Sequence, residues 1–401
     1  MAMKQTQTKL FDFSDVGLDF CAGSKNLFPD RFKKMLALGY NEQTVSSVAV
    51  AGNQVTFTYG GTHGYVADRV LKVNAPELLS INGGEFVVDS VTENTDTMTI
   101  DGAPTSIAGN FTTKIASLGW SLEYENANIH VYKFKALDES DLYLRLCFQD
   151  QATRRNCISP CIGKAFDVET GFITDPLSLA ETREVVTPHD GFKWEYSYAI
   201  GSIYNNYTYT QGFSQFAKGL IIGSIYHFIS MHTTSGGANN GRVVGFVPAA
   251  CYDYAALQYP VMIGESYASM TGTGANFQGT NGRAFVGAVR VVFDQSPLSD
   301  NALFAMPQAL SSFLAIDTFN TTTAAPIGIY EQSTRQILGM VSGGLYVCKY
   351  ASTNRPALDS TSPRLSMDID LNNICPVHYM NVNTSTSIAY LTAPVEEIKV
   401  A

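Results

Sequence analysis

The sequence is poor in charged residues. Asp, Glu, Lys and Arg make up 15% of its 401 residues, whereas they make up about 25% of an average globular domain. Aromatic residues reach 11%, with 21 Tyr and 23 Phe. Lys and Glu are depleted from buried interfaces, while Tyr and Phe are enriched there. The composition therefore fits a chain that covers part of its surface with other subunits. A monomer whose surface is rich in Ser, Thr and Asn is the alternative.

Long basic and long apolar runs are also missing. The formal net charge is -10, and Lys and Arg cluster no further than the pairs at 33–34 and 154–155. This pattern argues against nucleic acid as a partner, because binding to phosphates requires clustered positive charge. The longest apolar run, 219–231, contains His227 and is shorter than the ~20 residues of a membrane helix. The first residues lack the basic flank and apolar core of a signal peptide. We therefore expect a protein without a membrane span that is made in a cytoplasm and stays soluble or assembles there.

The seven cysteines form an odd and scattered set, unlike the dense, even pattern of a disulfide framework. They are Cys21, Cys147, Cys157, Cys161, Cys251, Cys348 and Cys375. We expect them to be reduced and buried. Cys157 and Cys161 have CxxxC spacing, which differs from the CxxC spacing of redox and zinc sites. These two thiols are predicted to lie in a turn.

No arrangement of residues predicts a catalytic, cofactor-binding or metal-binding site. The six histidines show neither HxH nor HExxH spacing; they are His63, His130, His189, His227, His232 and His378. The GxSxG motif of serine hydrolases is absent. The glycines at 272–279 resemble a phosphate loop, but a strand-like segment follows them where such a loop requires a helix. A long hairpin loop is predicted there.

Two pairs of acidic residues and one aromatic group leave a sugar-related function open. Glu181 with Glu184, or Asp368 with Asp370, could flank a glycosidic bond. In a chain with 36 acidic residues, solvated structural carboxylates are the expected alternative. An aromatic platform for a sugar could form from Trp194, Tyr196, Tyr204, Tyr207 and Tyr209. In strands, such residues commonly pack as cross-strand pairs, and we predict that the protein is not an enzyme.

Residues 1–42 are predicted to form an N-terminal arm and a short helix. The arm, which extends to about residue 24, mixes Leu and Phe with Asp and has little periodicity. Such a segment either adds a strand to the sheet of a neighbouring molecule or folds back onto its own domain. Pro29, apolar residues at helical spacing and a closing Gly39 predict a helix over 29–38.

The chain is predicted to be mainly β after the helix. Residues 43–120 alternate apolar and polar side chains between turn residues, which predicts a small β-barrel or sandwich. Its plainest part is the segment INGGEFVVDSVTENTDTMTI at 81–100. There, Gly83 and Gly84 allow a turn, and the polar residues at 92–96 connect two strands into a hairpin.

Residues 121–401 are predicted to form a large antiparallel β domain, because strand-like segments follow one another without alternating helices. The candidate strands are 121–126, 128–137, 141–150, 192–200, 204–212, 218–233, 241–250, 259–267, 282–293, 326–332, 343–351 and 389–395. A second helix is predicted over 302–313. Gly-rich loops at 235–241 and 271–282 could be exposed and interactive.

Residues 36–120 resemble a module found in structural proteins of tailed bacteriophages. The matching phrases lie at the end of the helix, at an HGY triplet, in the hairpin and at a final LGW. They comprise Leu38, Gly39, Tyr40, Asn41, Gln43, Thr44 and Val45; His63, Gly64 and Tyr65; Ile81, Asn82, Gly83, Glu85, Phe86, Val88, Ser90, Val91, Thr92, Asn94 and Thr95; and Leu118, Gly119 and Trp120. Gly84 is an extra residue relative to the family pattern, so the turn there can differ.

The resemblance implies a non-enzymatic structural component of the phage virion, assembled in the host cytoplasm. It points to the tail, at the baseplate, tail tip, fibre attachment or collar. It also implies a symmetric homo-oligomer, with a trimer or hexamer favoured, that binds other tail or baseplate proteins. Two alternatives stay open: a tail protein that binds a host receptor or surface glycan, and a collar or head decoration protein. The module brings no catalytic, cofactor-binding or metal-binding residues with it.

Overall fold

A computed structural model describes residues 8–76, 80–236, 241–266, 282–293, 303, 323–349, 356–358, 361–367, 373–381 and 388–398. The protein is mainly β, with 46% strand and 9% helix. A short helix follows the N-terminal stretch, and a six-stranded barrel precedes large antiparallel sheets. The predicted fold class is therefore confirmed.

The described elements run in the following order. The helices are α1 (Phe28–Lys33), which continues into a π-helix at Lys34–Leu38, and α2 (Tyr209–Phe216), with 3-10 turns at Lys25–Leu27, Ala180–Thr182 and Ala255–Leu257. The strands are β1 (Lys9–Asp12), β2 (Tyr40–Ala51), β3 (Gln54–Tyr59), β4 (Val70–Asn74), β5 (Glu85–Val91), β6 (Thr95–Thr99), β7 (Phe111–Ile115), β8 (Ser121–Asn126), β9 (Ile129–Lys135), β10 (Asp141–Phe148), β11 (Asn156–Gly163), β12 (Phe192–Ser197), β13 (Gly219–Gly223), β14 (Phe228–Thr233), β15 (Gly241–Val247), β16 (Ala249–Cys251), β17 (Val261–Ser266), β18 (Gly282–Val286), β19 (Val289–Val292), β20 (Thr323–Ala325), β21 (Gly328–Glu331), β22 (Ile337–Val341), β23 (Tyr346–Lys349), β24 (Arg364–Met367), β25 (Ile374–Asn381) and β26 (Ile388–Thr392).

Strands β2 to β7 close into a barrel in the order β2-β3-β6-β5-β4-β7, with β7 pairing back onto β2. The alternation of the sequence explains the closure, because every second side chain of a strand points to the same face. Along β3, for example, Val55, Phe57 and Tyr59 are buried, while the residues between them are half-buried. β5 and β6 form the predicted hairpin, and Gly83 has a φ of 73° in the turn before it.

The rest of the described chain forms two antiparallel sheets. The larger has the order β16-β22-β21-β19-β18-β17-β12-β11-β10-β9-β8, and β1, β13, β14 and β15 join it as a branch through β17. The second sheet has the order β20-β23-β26-β25-β24. It packs on β15 so closely that a side chain at Gly241 would collide with the backbone of Tyr379.

The N-terminal arm folds onto its own chain. β1 pairs antiparallel with β13, with Lys9 opposite Gly223 and Asp12 opposite Leu220. Five of the arm's apolar side chains, Leu10, Phe11, Phe13, Leu18 and Phe20, are at most 2% exposed, whereas Val16 is 53% exposed. Of the two alternatives predicted for the arm, the structure shows the second, in which the arm folds back onto its own chain.

An aromatic cluster joins the arm, α1 and the large sheet. The Phe20 ring lies 4.7 Å from that of Phe28, which packs edge-on against Tyr196 of β12 at 4.9 Å. Phe32 contacts Phe228 of β14 at 5.7 Å. Such pairs contribute about 0.5–1.5 kcal/mol each beyond the burial of their area. The cluster is part of one hydrophobic core that extends from the barrel into the large sheet.

Four predictions for residues 121–401 were wrong. Residues 204–212 are not a strand, because Thr208 and Gln211 form a capping box that begins α2. Residues 218–233 are two strands joined by a turn at 224–227, not one. Residues 282–293 are likewise two strands, β18 and β19, which pair as a hairpin. Cys157 and Cys161 do not lie in a turn; both belong to β11, which is buried throughout. The helix predicted over 302–313 lies outside the described residues, apart from residue 303.

A buried ion pair fixes the arm to the barrel. The Arg69 guanidinium contacts both carboxylate oxygens of Asp15, at 2.8 and 2.9 Å, and the two side chains are 7% and 6% exposed. The Tyr40 hydroxyl donates to the same carboxylate at 2.8 Å. The arm is thus held at two points, by the β1–β13 pairing on the large sheet and by Asp15 on the barrel.

We predict that Arg69→Ala lowers the free energy of unfolding by about 3–5 kcal/mol, because it leaves the Asp15 carboxylate buried without its cation. Urea denaturation followed by fluorescence measures the change. Lys133→Ala is the control, since it breaks only a half-exposed pair with Glu123, and its effect should stay below about 1 kcal/mol. Equal effects of the two variants would contradict the role assigned to the Asp15–Arg69 pair.

Candidate functional site

Three of the residues that carry the resemblance, His63, Thr92 and Thr95, meet at the turn between β5 and β6. His63 Nε2 lies 3.2 Å from the carbonyl oxygens of both Thr92 and Thr95, and its Nδ1 accepts the backbone N–H of Tyr65 at 3.0 Å. A neutral ring protonated on Nε2 satisfies these contacts. The HGY triplet therefore holds the turn between β5 and β6 in place.

A polar cluster lies inside the barrel beneath this turn. The Tyr65 hydroxyl lies 2.9 Å from the carbonyl oxygens of Asn41 and Thr113. The Tyr59 hydroxyl lies 3.1 Å from Asp96 Oδ2, while Asp96 Oδ1 has no hydrogen-bond partner. Asp96 is fully buried, and burial raises the pKa of its carboxyl group to about 7. The cluster ties β2, β3, β6 and β7 together.

The LGW triplet connects the barrel to the helix and to the large sheet. Leu118 N–H donates to Met35 O at 2.8 Å, and Trp120 N–H donates to Leu36 O at 3.0 Å. The Trp120 indole N–H donates to Ser224 O, in the turn between β13 and β14, at 2.9 Å. Its ring also packs on Phe134 and Phe246, with centroids 5.2 and 5.8 Å away. The HGY and LGW triplets, which carry part of the resemblance, thus connect elements of the fold to one another.

A second group of charges is buried where β12, β15 and β17 meet. Arg155 pairs with Glu195 at 3.0 Å and Arg242 pairs with Glu265 at 2.7 Å, and none of the four side chains is more than 1% exposed. Burial raises the pKa of Glu265 to about 8; Arg242 opposes the rise and Glu195 adds to it. Loss of one partner lowers the stability of a fold by much more than the intact pair raises it, because the remaining charge stays buried and unpaired. Each of the four charges lies on a different strand or strand end. The two pairs therefore hold these strands together.

Two of the six histidines lie beside these buried ion pairs, but they do not form a metal site. His232 Nε2 lies 2.9 Å from Glu195 O, and His378 Nε2 lies 2.7 Å from His232 O. Burial lowers the pKa of His232 to about 3 and that of His378 to about 4, so both rings are neutral. His63, His130, His189 and His227 lie elsewhere. Across the described residues, no group of three or more His, Cys, Asp or Glu is arranged to hold a metal ion.

The other chemical candidates of the sequence are dispersed. Glu181 and Glu184 are exposed, whereas Asp368 and Asp370 lie outside the described residues. All seven cysteines are free thiols, and six of them are buried, with Cys251 half-buried. The Gly-rich loops at 235–241 and 271–282 lie largely outside the described residues.

The five aromatic residues do not form a platform, because two are buried and the other three, Tyr204, Tyr207 and the α2 residue Tyr209, are half-buried. Trp194 and Tyr196 are fully buried; Trp194 stacks on Phe228 at 5.4 Å, and Tyr196 stacks on His232 at 4.3 Å. Tyr204 and Tyr207 pack edge-on against each other at 5.1 Å beside α2. The structure therefore shows the alternative, in which these aromatic side chains pack in pairs with other rings.

A surface cavity of about 170 Å³ was not predicted from the sequence. It lies between the β9–β10 turn, Lys164, Tyr226 and the segment 248–260. Its lining comes from four separate parts of the chain, so no local motif could have revealed it. Its mostly apolar lining with a few polar groups at the rim is an arrangement typical of ligand sites.

Comparisons with known proteins do not point to a function for this chain. No protein-family model matches the chain, and no curated protein matches it significantly. Within the described part of the chain, no helix is long and apolar enough to cross a membrane.

We predict that Asp96 makes the stability of the protein depend on pH. Its pKa in the folded state, about 7, exceeds the value of about 3.9 in an unfolded chain. The stabilisation by the protonated carboxyl is therefore complete below about pH 4 and is lost as the pH rises through about 7. Between about pH 4 and pH 7, the free energy of unfolding of the native protein should fall relative to that of Asp96→Asn by at most about 1.4 kcal/mol per pH unit, and above about pH 7 the difference should stay constant.

Urea denaturation at pH 5.5, 7.0 and 8.5 measures this dependence. Asp89→Asn is the control, because Asp89 is exposed on the neighbouring strand β5. Its curve should run parallel to that of the native protein. A parallel curve for Asp96→Asn as well would contradict the assignment.

Proposed function

We propose that this chain is a non-enzymatic structural component of a tailed-phage virion, associated with the tail and assembled in the host cytoplasm. The observation that carries the proposal is the role of the residues that resemble the phage module. His63, Tyr65 and Trp120 hold the barrel closed and fix it to the large sheet. A module built in this way supplies shape and contact area.

The buried ionisable groups also favour a structural role. Arg155 and Arg242 are paired with Glu195 and Glu265 beneath the surface. His232 is held by backbone and hydroxyl groups. In each case the contact joins separate parts of the fold, which is what a structural role requires.

The surface supports assembly into a symmetric homo-oligomer that binds other tail proteins. Only 15% of the residues are charged, and apolar side chains are exposed at several places. Val16 and Val66, near Gly64 at the junction of arm and barrel, are 53% and 46% exposed, and Tyr252 and Tyr254 after β16 are 53% and 67% exposed. Uncharged surface with Tyr and aliphatic residues is suited to burial between subunits. Closed symmetry is the usual way to bury it.

A second candidate function, binding of a host glycan, is favoured by the cavity beside the β9–β10 turn. It is compatible with a place in the tail. A collar or head decoration protein would share the same architecture and differ only in its location in the particle.

We predict that the purified protein forms a trimer or hexamer in native mass spectrometry, and that it is recovered with the tail fraction when particles are separated into heads and tails. Its copy number, measured against the major tail protein as an internal standard, should be a multiple of three. A monomer at micromolar concentration that is absent from tails would overturn the proposal. Recovery in the head fraction would support the decoration protein instead.

A further inference from the structure

We propose that the cavity beside the β9–β10 turn binds a single pyranose ring of a neutral polysaccharide. At about 170 Å³ it is smaller than the ~300–1,000 Å³ pockets that enclose drug-sized ligands, so one ring is the largest unit that it can hold. The proposal does not depend on the structural role proposed above. It gives a chemical identity to the ligand of the second candidate function.

The floor of the cavity is apolar. Phe134, Leu142, Tyr226 and Tyr259 line it and are at most 6% exposed. Both tyrosine hydroxyls are already engaged: Tyr226 donates to Glu139, and Tyr259 donates to Asp175 at 2.7 Å. The two rings therefore offer carbon surface to a ligand, which suits the C–H face of a sugar ring.

The rim adds a donor and an acceptor. The Lys164 ammonium lies 4.8 Å from the centre of the Tyr259 ring and belongs to none of the ion pairs found among the described residues. Asp138 is exposed, and one of its oxygens accepts from Ser140 N–H and Oγ at 3.0 and 2.6 Å. These bonds, with Lys164 nearby, lower the pKa of Asp138, which leaves its second oxygen as an ionised acceptor.

This combination distinguishes a neutral sugar from other small ligands. A hydroxyl group both donates and accepts, so a sugar can use the ammonium of Lys164 and the carboxylate of Asp138 together. A small anion could use Lys164, but Asp138, Glu139 and Asp141 would repel it. A hydrocarbon would leave the polar rim without partners.

The cavity is built on a firm support. In the turn between β9 and β10, Ala136 N–H donates to Ser140 O at 2.9 Å and Glu139 N–H donates to Ala136 O at 3.0 Å. Lys135 at the cavity wall is held by Asp141 at 2.8 Å. A preformed site avoids the entropy that a mobile loop would lose when it binds.

Saturation-transfer difference NMR of the full chain with D-glucose, D-galactose and D-mannose tests the proposal. We expect signals from at least one of the three hexoses, with a Kd in the millimolar range. Lys164→Ala and Asp138→Ala should each weaken binding at least fivefold. The control variants Lys133→Ala and Glu123→Ala, which alter a charged pair on the neighbouring strands, should leave it unchanged. Thermal unfolding checks that all four variants are folded.

Three outcomes would overturn the proposal. They are the absence of signals from all three hexoses up to 100 mM, binding that is unaffected by both cavity variants, and binding of acetate that depends on Lys164 while the hexoses do not bind. Each of these outcomes leaves the oligomeric state and the tail location untouched, so a failure here is distinguishable from a failure of the structural proposal.

Discussion

The attachment of the N-terminal arm is the constraint on which the rest of the structure depends. Over residues 9–20 the arm adds β1 to the edge of β13, places Phe13 and Phe20 in the core and brings Asp15 to Arg69 of the barrel. A buried carboxylate with a two-point guanidinium contact tolerates little displacement. The barrel and the large sheet are therefore held in one relative position, and the core can continue from one to the other.

The sequence predicted the elements whose determinants are local. The hairpin of β5 and β6 is evident because alternation and turn residues lie within 20 residues of each other, and the helix after Pro29 is evident for the same reason. The arm's destination, the order of the strands in the large sheet and the branch at β17 depend on pairings between distant segments, which periodicity does not encode. The error at 204–212 has a local cause: alternating tyrosines imitate a strand, whereas the Thr208–Gln211 capping box begins a helix.

The residues of the candidate site also divide into those that the sequence indicated and those that it did not. The resemblance pointed to His63, Tyr65 and Trp120 as parts of a module, and the structure gives each of them a contact that closes or anchors the barrel. The buried pairs of Glu195 and Glu265 could not be foreseen, because their partners come from other strands. The cavity at Lys164 and Tyr259 was equally invisible, since its lining comes from four segments. The module residues and the buried ion pairs have contacts within the fold, whereas the cavity is the place where we propose that a sugar binds.

Amide hydrogen exchange of the arm tests the central claim most directly. If residues 9–12 form an integral strand of their own molecule's sheet, their amides should be protected to the same degree as those of 219–223, and the protection should not change when the protein is diluted. Rapid exchange at 9–12 while 219–223 stay protected, or protection of the arm that disappears on dilution, would contradict the account.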